Sequence, residues 1–140
     1  FNPHLVYAPN HSAGTTRSAF DLRIGPGVSL CHEWRDYGSS PYAVGPSLWI
    51  SSNSLQVAGK TLLTVPDGEW MHFEIAADLG ERNSHTWDLI VTLSGQAPKV
   101  FTDLKSGSTA FEKLAWLGFI SNATDATTLY LDNLDVTNQP

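Results

Sequence analysis

Apolar and polar residues alternate with a period of two along much of the chain. That spacing sends one set of side chains to the inner face of a β-strand and the other to its outer face. The cleanest case is Glu69 to Ala77, where Met71, Phe73, Ile75 and Ala77 form an apolar face and Trp70, His72, Glu74 and Ala76 the opposite one. Thr86 to Leu93 repeats the pattern with Trp87, Leu89, Val91 and Leu93 inward. Ser18 to Ile24 sets Phe20, Leu22 and Ile24 against Asp21 and Arg23. In the next stretch Val28, Leu30, His32, Trp34 and Asp36 point one way, and Ser29, Cys31, Glu33, Arg35 and Tyr37 the other. The first of these sets begins apolar, so it is assigned to a core.

Turn residues punctuate these runs. Gly25-Pro26-Gly27 predicts a hairpin joining the Ser18 strand to the one that follows. Gly38-Ser39-Ser40-Pro41 ends that second strand, and Tyr42 to Ile50 resumes with Leu48 and Ile50 opposite Trp49. Leu55-Gln56-Val57 and Thr61 to Val65 flank Ala58-Gly59-Lys60 as a short hairpin, and Pro66-Asp67-Gly68 is a further turn. Asp78 to His85 is polar, with room for a helical turn. Leu114 to Ile120 is apolar on both faces, which predicts a central strand covered on both sides. Thr128 to Val136 closes the chain, and Leu5-Val6-Tyr7 makes a short edge strand in an irregular lead-in. No segment carries a sustained helical period. About ten short strands at regular spacing predict an all-β fold, an antiparallel β-sandwich or jelly roll, in one domain spanning residues 1–140.

Composition narrows the function classes. A net charge of −6, with 8 scattered Lys and Arg residues, excludes the basic patch that phosphate backbones require. No apolar run is long enough to span a membrane. Cys31 is the single cysteine, so neither an intrachain disulfide nor a thiolate metal site can form. The 5 histidines show no zinc spacing. Asn10-His11-Ser12 and Asn122-Ala123-Thr124 fit the glycosylation sequon. The chain opens at Phe1 without an initiator Met or signal segment and reads as a domain excised from a larger multidomain protein.

Three stretches carry a family likeness. Pro66-Asp67-Gly68-Glu69-Trp70-Met71-His72-Phe73-Glu74-Ile75 resembles a strand of concanavalin A-like sandwiches, the superfamily of laminin-G domains and jelly-roll glucanases. Trp87-Asp88-Leu89-Ile90-Val91-Thr92-Leu93-Ser94-Gly95 resembles the strand after it. Leu117-Gly118-Phe119, leading to Leu129-Tyr130-Leu131-Asp132-Asn133-Leu134-Asp135-Val136, is similar to the closing strand of that superfamily and of many carbohydrate-binding modules. The resemblance implies a non-catalytic carbohydrate-binding module, secreted or at the cell surface. Its partners would be a polysaccharide or oligosaccharide and the catalytic domain of its parent chain. It also implies a structural calcium ion held through Asp132. The rivals are a laminin-G-like protein-interaction domain and a small polysaccharide hydrolase or lyase.

Candidate ligand-binding residues follow from sugar chemistry. Sugars offer apolar C–H faces to rings and hydroxyls to charged donors and acceptors. Glu33, Arg35 and Tyr37 share one strand face; Trp70, His72 and Glu74 share another; Trp49 lies opposite its strand's apolar set. Trp87 and Trp116 are assigned to the core. If the two strands share a sheet, Glu33, Arg35, Tyr37, Trp70, His72 and Glu74 converge on one surface. Hydrolysis needs two carboxylates about 5–9 Å apart, which Glu33 and Glu74 could supply only as neighbours. The Glu-x-Asp-x-x-Glu spacing of the jelly-roll glucanases is absent. A lyase of this superfamily pairs a Tyr or His base with an Arg or Gln, residue types that His32, Arg35, Tyr37 and His72 supply.

Overall fold

Every alternating run finds an inner layer to face. The protein, described here as a computed structural model for residues 2–140, is a two-layer antiparallel sandwich. Its strands are β1 (His4–Tyr7), β2 (Gly14–Ile24), β3 (Ser29–Asp36), β4 (Ala43–Ser51), β5 (Ser54–Val57), β6 (Lys60–Thr64), β7 (Met71–Leu79), β8 (Thr86–Leu93), β9 (Lys99–Lys105), β10 (Trp116–Ser121) and β11 (Leu129–Gln139). A six-stranded front sheet runs β1-β10-β3-β4-β5-β6, and a five-stranded back sheet runs β11-β2-β7-β8-β9. The one helical turn among the described residues, Gly80–Arg82, falls in the polar segment predicted to hold one. No helix among the described residues is long and apolar enough to cross a membrane.

The core lies between the sheets. From the back come Phe20, Leu22, Met71, Phe73, Ile75, Trp87, Leu89 and Val91, all buried as the alternation requires. The front contributes Leu30, Trp34, Leu48, Ile50, Leu117 and Phe119. Rings lock the middle: Phe20 stacks on Phe73 at 5.1 Å and meets Phe119 edge-on at 4.9 Å. His32 stacks on Phe119 at 4.1 Å. Gly45 is a packing requirement, because a Cβ there would come within 2.6 Å of the Phe111 ring.

Two expectations are corrected. The strands on either side of Gly25-Pro26-Gly27 are not a hairpin. Both hydrogen-bonding edges of β2 are taken, by β7 and β11, so the loop carries the chain across to the front sheet. Gly25 N–H bonds to Thr128 O, and Gly68 N–H to Ile24 O, fixing that crossing. Trp116 is not core. It pairs with Arg35 in register and stands half-buried on the outer side of the front sheet.

Candidate functional site: two outer faces

On the outer side of the front sheet, Trp116, Arg35 and the flanking Tyr37 and Tyr42 form one end of a band, and Trp49 the other. Arg35 sits between two rings, its Cζ 4.1 Å from the centroid of Tyr42 and 4.1 Å from that of Trp116. Its Nε donates to Glu33 Oε2 at 2.6 Å and its Nη1 to the Tyr37 hydroxyl at 3.4 Å. A guanidinium has five N–H groups, so donors remain for a ligand. Burial opposes the Arg35 charge, but the contacts with Tyr37 and Glu33 outweigh it and raise the pKa further.

Small residues make this clamp possible. Gly118 is the cross-strand partner of Glu33, and the Trp116 ring lies over it, at 2.2 Å from where a Cβ would be. Cys31 flanks Glu33 on the same face, donating to Glu33 Oε1 at 3.3 Å. Burial, with the Glu33 charge, pushes its thiol up to about 12, so Cys31 is inert packing. Trp49 pairs with Cys31 and is 42 % exposed. Beside Arg35 a depression of about 410 Å³ is lined by Asn2, His4, Arg35, Trp116 and Ile120.

Behind this face, His32 and Asp36 point inward. Burial drives the His32 pKa down to about 4, against a hydrogen bond between its Nδ1 and Gly118 O. A neutral ring enclosed by Phe20 and Phe119 cannot reach a substrate, which removes His32 as a lyase base. Burial would raise the Asp36 pKa, but the N–H groups of Gly38, Glu112 and Lys113 and the Lys113 charge hold it down. Asp36 is thus a staple tying the end of β3 to the segment before β10.

The back sheet holds the other predicted residues, so the six side chains do not converge on one surface. β3 and β7 belong to different sheets, and Glu33 and Glu74 stand on opposite faces of the molecule. They cannot serve as a hydrolytic pair. Trp70, just ahead of β7, is 44 % exposed, as its position opposite the apolar set implied. Its ring lies 6.5 Å from that of Tyr130, and Arg23 lies over Tyr130 at 5.7 Å. In the next row His72 Nδ1 meets Asp21 Oδ1 at 2.7 Å, and Asn133 Nδ2 donates to Asp21 Oδ2 at 2.7 Å. These two bonds, Asn133 first, hold the Asp21 pKa below the usual carboxylate range. Glu74 Oε2 is 3.8 Å from His72 Nε2. Further along, a groove of about 300 Å³ is lined by the small Ala19 and Ala76, by Arg17, Glu74, Asp88 and Asp135, and by the apolar Ile90 and Val100.

Asp132 is exposed in the Asp21 row, and its Oδ1 accepts the Asn133 N–H. Among the described residues no three or more His, Cys, Asp or Glu side chains come together as a metal site. These side chains alone therefore supply no cage for a cation.

Tyr42, Arg23 and Tyr130 are not among the ligand candidates that the sequence supplies, and Trp116 is assigned there to the core. Tyr130 was recoverable, because Leu129-Tyr130-Leu131 alternates and points the Tyr outward. Trp116 was masked by an apolar neighbourhood on both sides of its strand.

No protein-family model and no curated protein sequence matches the chain. Among solved structures, an alginate lyase from Aplysia kurodai is similar, with TM-score 0.62 and 7% identity over 92% of this chain and 71% of that one. An endo-beta-1,4-glucuronan lyase from Trichoderma reesei gives TM-score 0.60 and 12% identity over 99% of this chain and 76% of that one. A homodimeric agglutinin from chicken liver gives TM-score 0.55 and 10% identity over 96% of this chain and the whole of the other, 100%. At these identities the likeness is one of fold. The architecture is a concanavalin A-like jelly roll, a scaffold whose chemistry resides in its surface residues.

Proposed function

We propose that the protein is a non-catalytic carbohydrate-binding domain that takes a uronate-containing polysaccharide on the outer face of its front sheet. One observation carries this reading: Arg35 is held between the Tyr42 and Trp116 rings, is bonded to Glu33 and Tyr37, and itself lines an open depression. A guanidinium ordered in advance loses little entropy on binding and suits a carboxylate in a two-point contact. Trp49, Tyr37 and Tyr42 supply exposed rings along the same face. The fold it shares with two polysaccharide lyases and an agglutinin is consistent with a glycan ligand.

The carboxylate inventory supports binding without hydrolysis. Among the described residues, the front strands carry only Glu33 and Asp36. Glu33 is engaged by Arg35 and Cys31, and Asp36 by backbone N–H groups. A lyase is the second reading, favoured by the contact of the Tyr37 hydroxyl with Arg35. Calcium near Asp132 would have to draw on backbone oxygens; chelator lowers the melting temperature if the folded state holds the ion, and an unchanged melt retires it.

A glycan array followed by calorimetric titration tests the proposal. Uronate oligosaccharides should bind, and Arg35→Lys should weaken them while leaving the melting temperature near wild type. Binding to protein ligands alone would favour the laminin-G-like alternative. Release of unsaturated uronate ends from the polymer would establish the lyase.

A further inference from the structure

The back sheet pairs two exposed rings with a groove on a surface that the front-face reading leaves unused. Trp70 and Tyr130 incline to each other at 57°, with Arg23 against the Tyr130 ring, which makes an open aromatic corner. Both rings are about half exposed, at 44 % and 53 %. One row further on, Asp21 is already oriented by His72 and Asn133, and Glu74 stands beside His72. The small side chains of Ala19 and Ala76 then leave space for a chain to continue along the sheet.

We propose that this corner and groove form a second carbohydrate site, for a glycan without negative charge. The aromatic corner provides the stacking surface for a sugar's C–H face, and the fixed carboxylate of Asp21 an acceptor for its hydroxyls. Charge decides the class of sugar. The outward positions of β2, β7, β8 and β11 carry Asp21, Glu74, Asp78, Asp88, Asp132 and Asp135, against Arg17 and Arg23. A uronate would meet like charges there, whereas neutral or amino sugars would not. The two sites stand on opposite faces, so one domain could join two different glycans.

The test uses the whole domain, with the Trp70 indole N–H signal as reporter. The probes are a neutral gluco-oligosaccharide, a glucosamine oligosaccharide, a uronate oligosaccharide and a Lys-rich peptide. The neutral or glucosamine probe should move the Trp70 signal. In calorimetric titration, which needs no indole signal, Trp70→Ala and Tyr130→Ala should each weaken that probe at least about tenfold, the scale of an anchoring ring, with melting temperatures near wild type. Arg35→Lys should leave this titration unchanged, which separates its outcome from that of the front face. The proposal is overturned if no sugar moves Trp70, if only the uronate or only the peptide does, or if both ring variants bind the sugars as wild type does.

Discussion

On the front sheet one guanidinium is pressed between two rings and bonded to one carboxylate; on β2, β7, β8 and β11 of the back sheet six carboxylates and two guanidinium groups are spread over the outward rows. The same period of two builds both faces. What separates them is the residue beneath. Gly118 lets the Trp116 ring pack close over the β10 backbone with Arg35 against it, so the front site is closely packed and sensitive to volume. Ala19 and Ala76 only leave a groove open, so the back site is tolerant of added volume. Substitutions of equal size should therefore have unequal effects on the two faces.

Acidification gives the largest expected effect. The His32 pKa is about 4 in the folded protein, against 6.5 for the free side chain. Between those values the unfolded chain binds the proton and the folded one does not, so stability falls as pH drops from 6.5 toward 4. The loss is at most about 3 kcal/mol. Asp21 and Asp36, with lowered pKa values, withdraw their contributions only further down, below the ordinary 3.8. Because His32 bonds to Gly118 O beneath the Trp116 ring, front-face binding should fail together with the melt. Thermal melts across this range check it.

Gly118→Ala comes next. The added methyl displaces the Trp116 ring, at a cost of about 1–3 kcal/mol, and loosens Arg35. Ala76→Ser on the open back face should stay within about 0.5 kcal/mol of wild type. Denaturant titration of the pair measures the asymmetry. Arg35→Lys should then cost about 1.4 kcal/mol of uronate affinity, roughly tenfold, because an ammonium lacks the planar fork. Arg23→Lys should leave that affinity unchanged. The smallest effect is Trp70→Ala on stability, about 0.5 kcal/mol for a largely solvated ring.

The contrast also explains what was legible beforehand. Alternation told inward from outward at nearly every position of β3, β7 and β8 and around Trp49 in β4, so Trp70 and Trp49 were correctly placed in solvent and Trp87 in the core. Alternation says nothing about which strand lies beside which. Gly25-Pro26-Gly27 has the composition of a hairpin turn, yet it joins two sheets, because the edges of β2 are occupied by strands far away in sequence. The assumed union of Glu33, Arg35 and Tyr37 with Trp70, His72 and Glu74 failed for that reason. Trp116 was misplaced because Leu117 and Phe119 bury the other side of β10, and an apolar residue on the covered side of a glycine reads like core.

The five indole N–H signals provide the most direct test, since Trp34 and Trp87 are buried, Trp49 and Trp116 mark the front face, and Trp70 marks the back. Titration with a uronate oligosaccharide should shift Trp116 and Trp49 and leave Trp70 in place. A shift at Trp70 with Trp116 and Trp49 unmoved, or no shift at any of the five, would contradict the assignment of the acidic-glycan site to the Arg35 clamp.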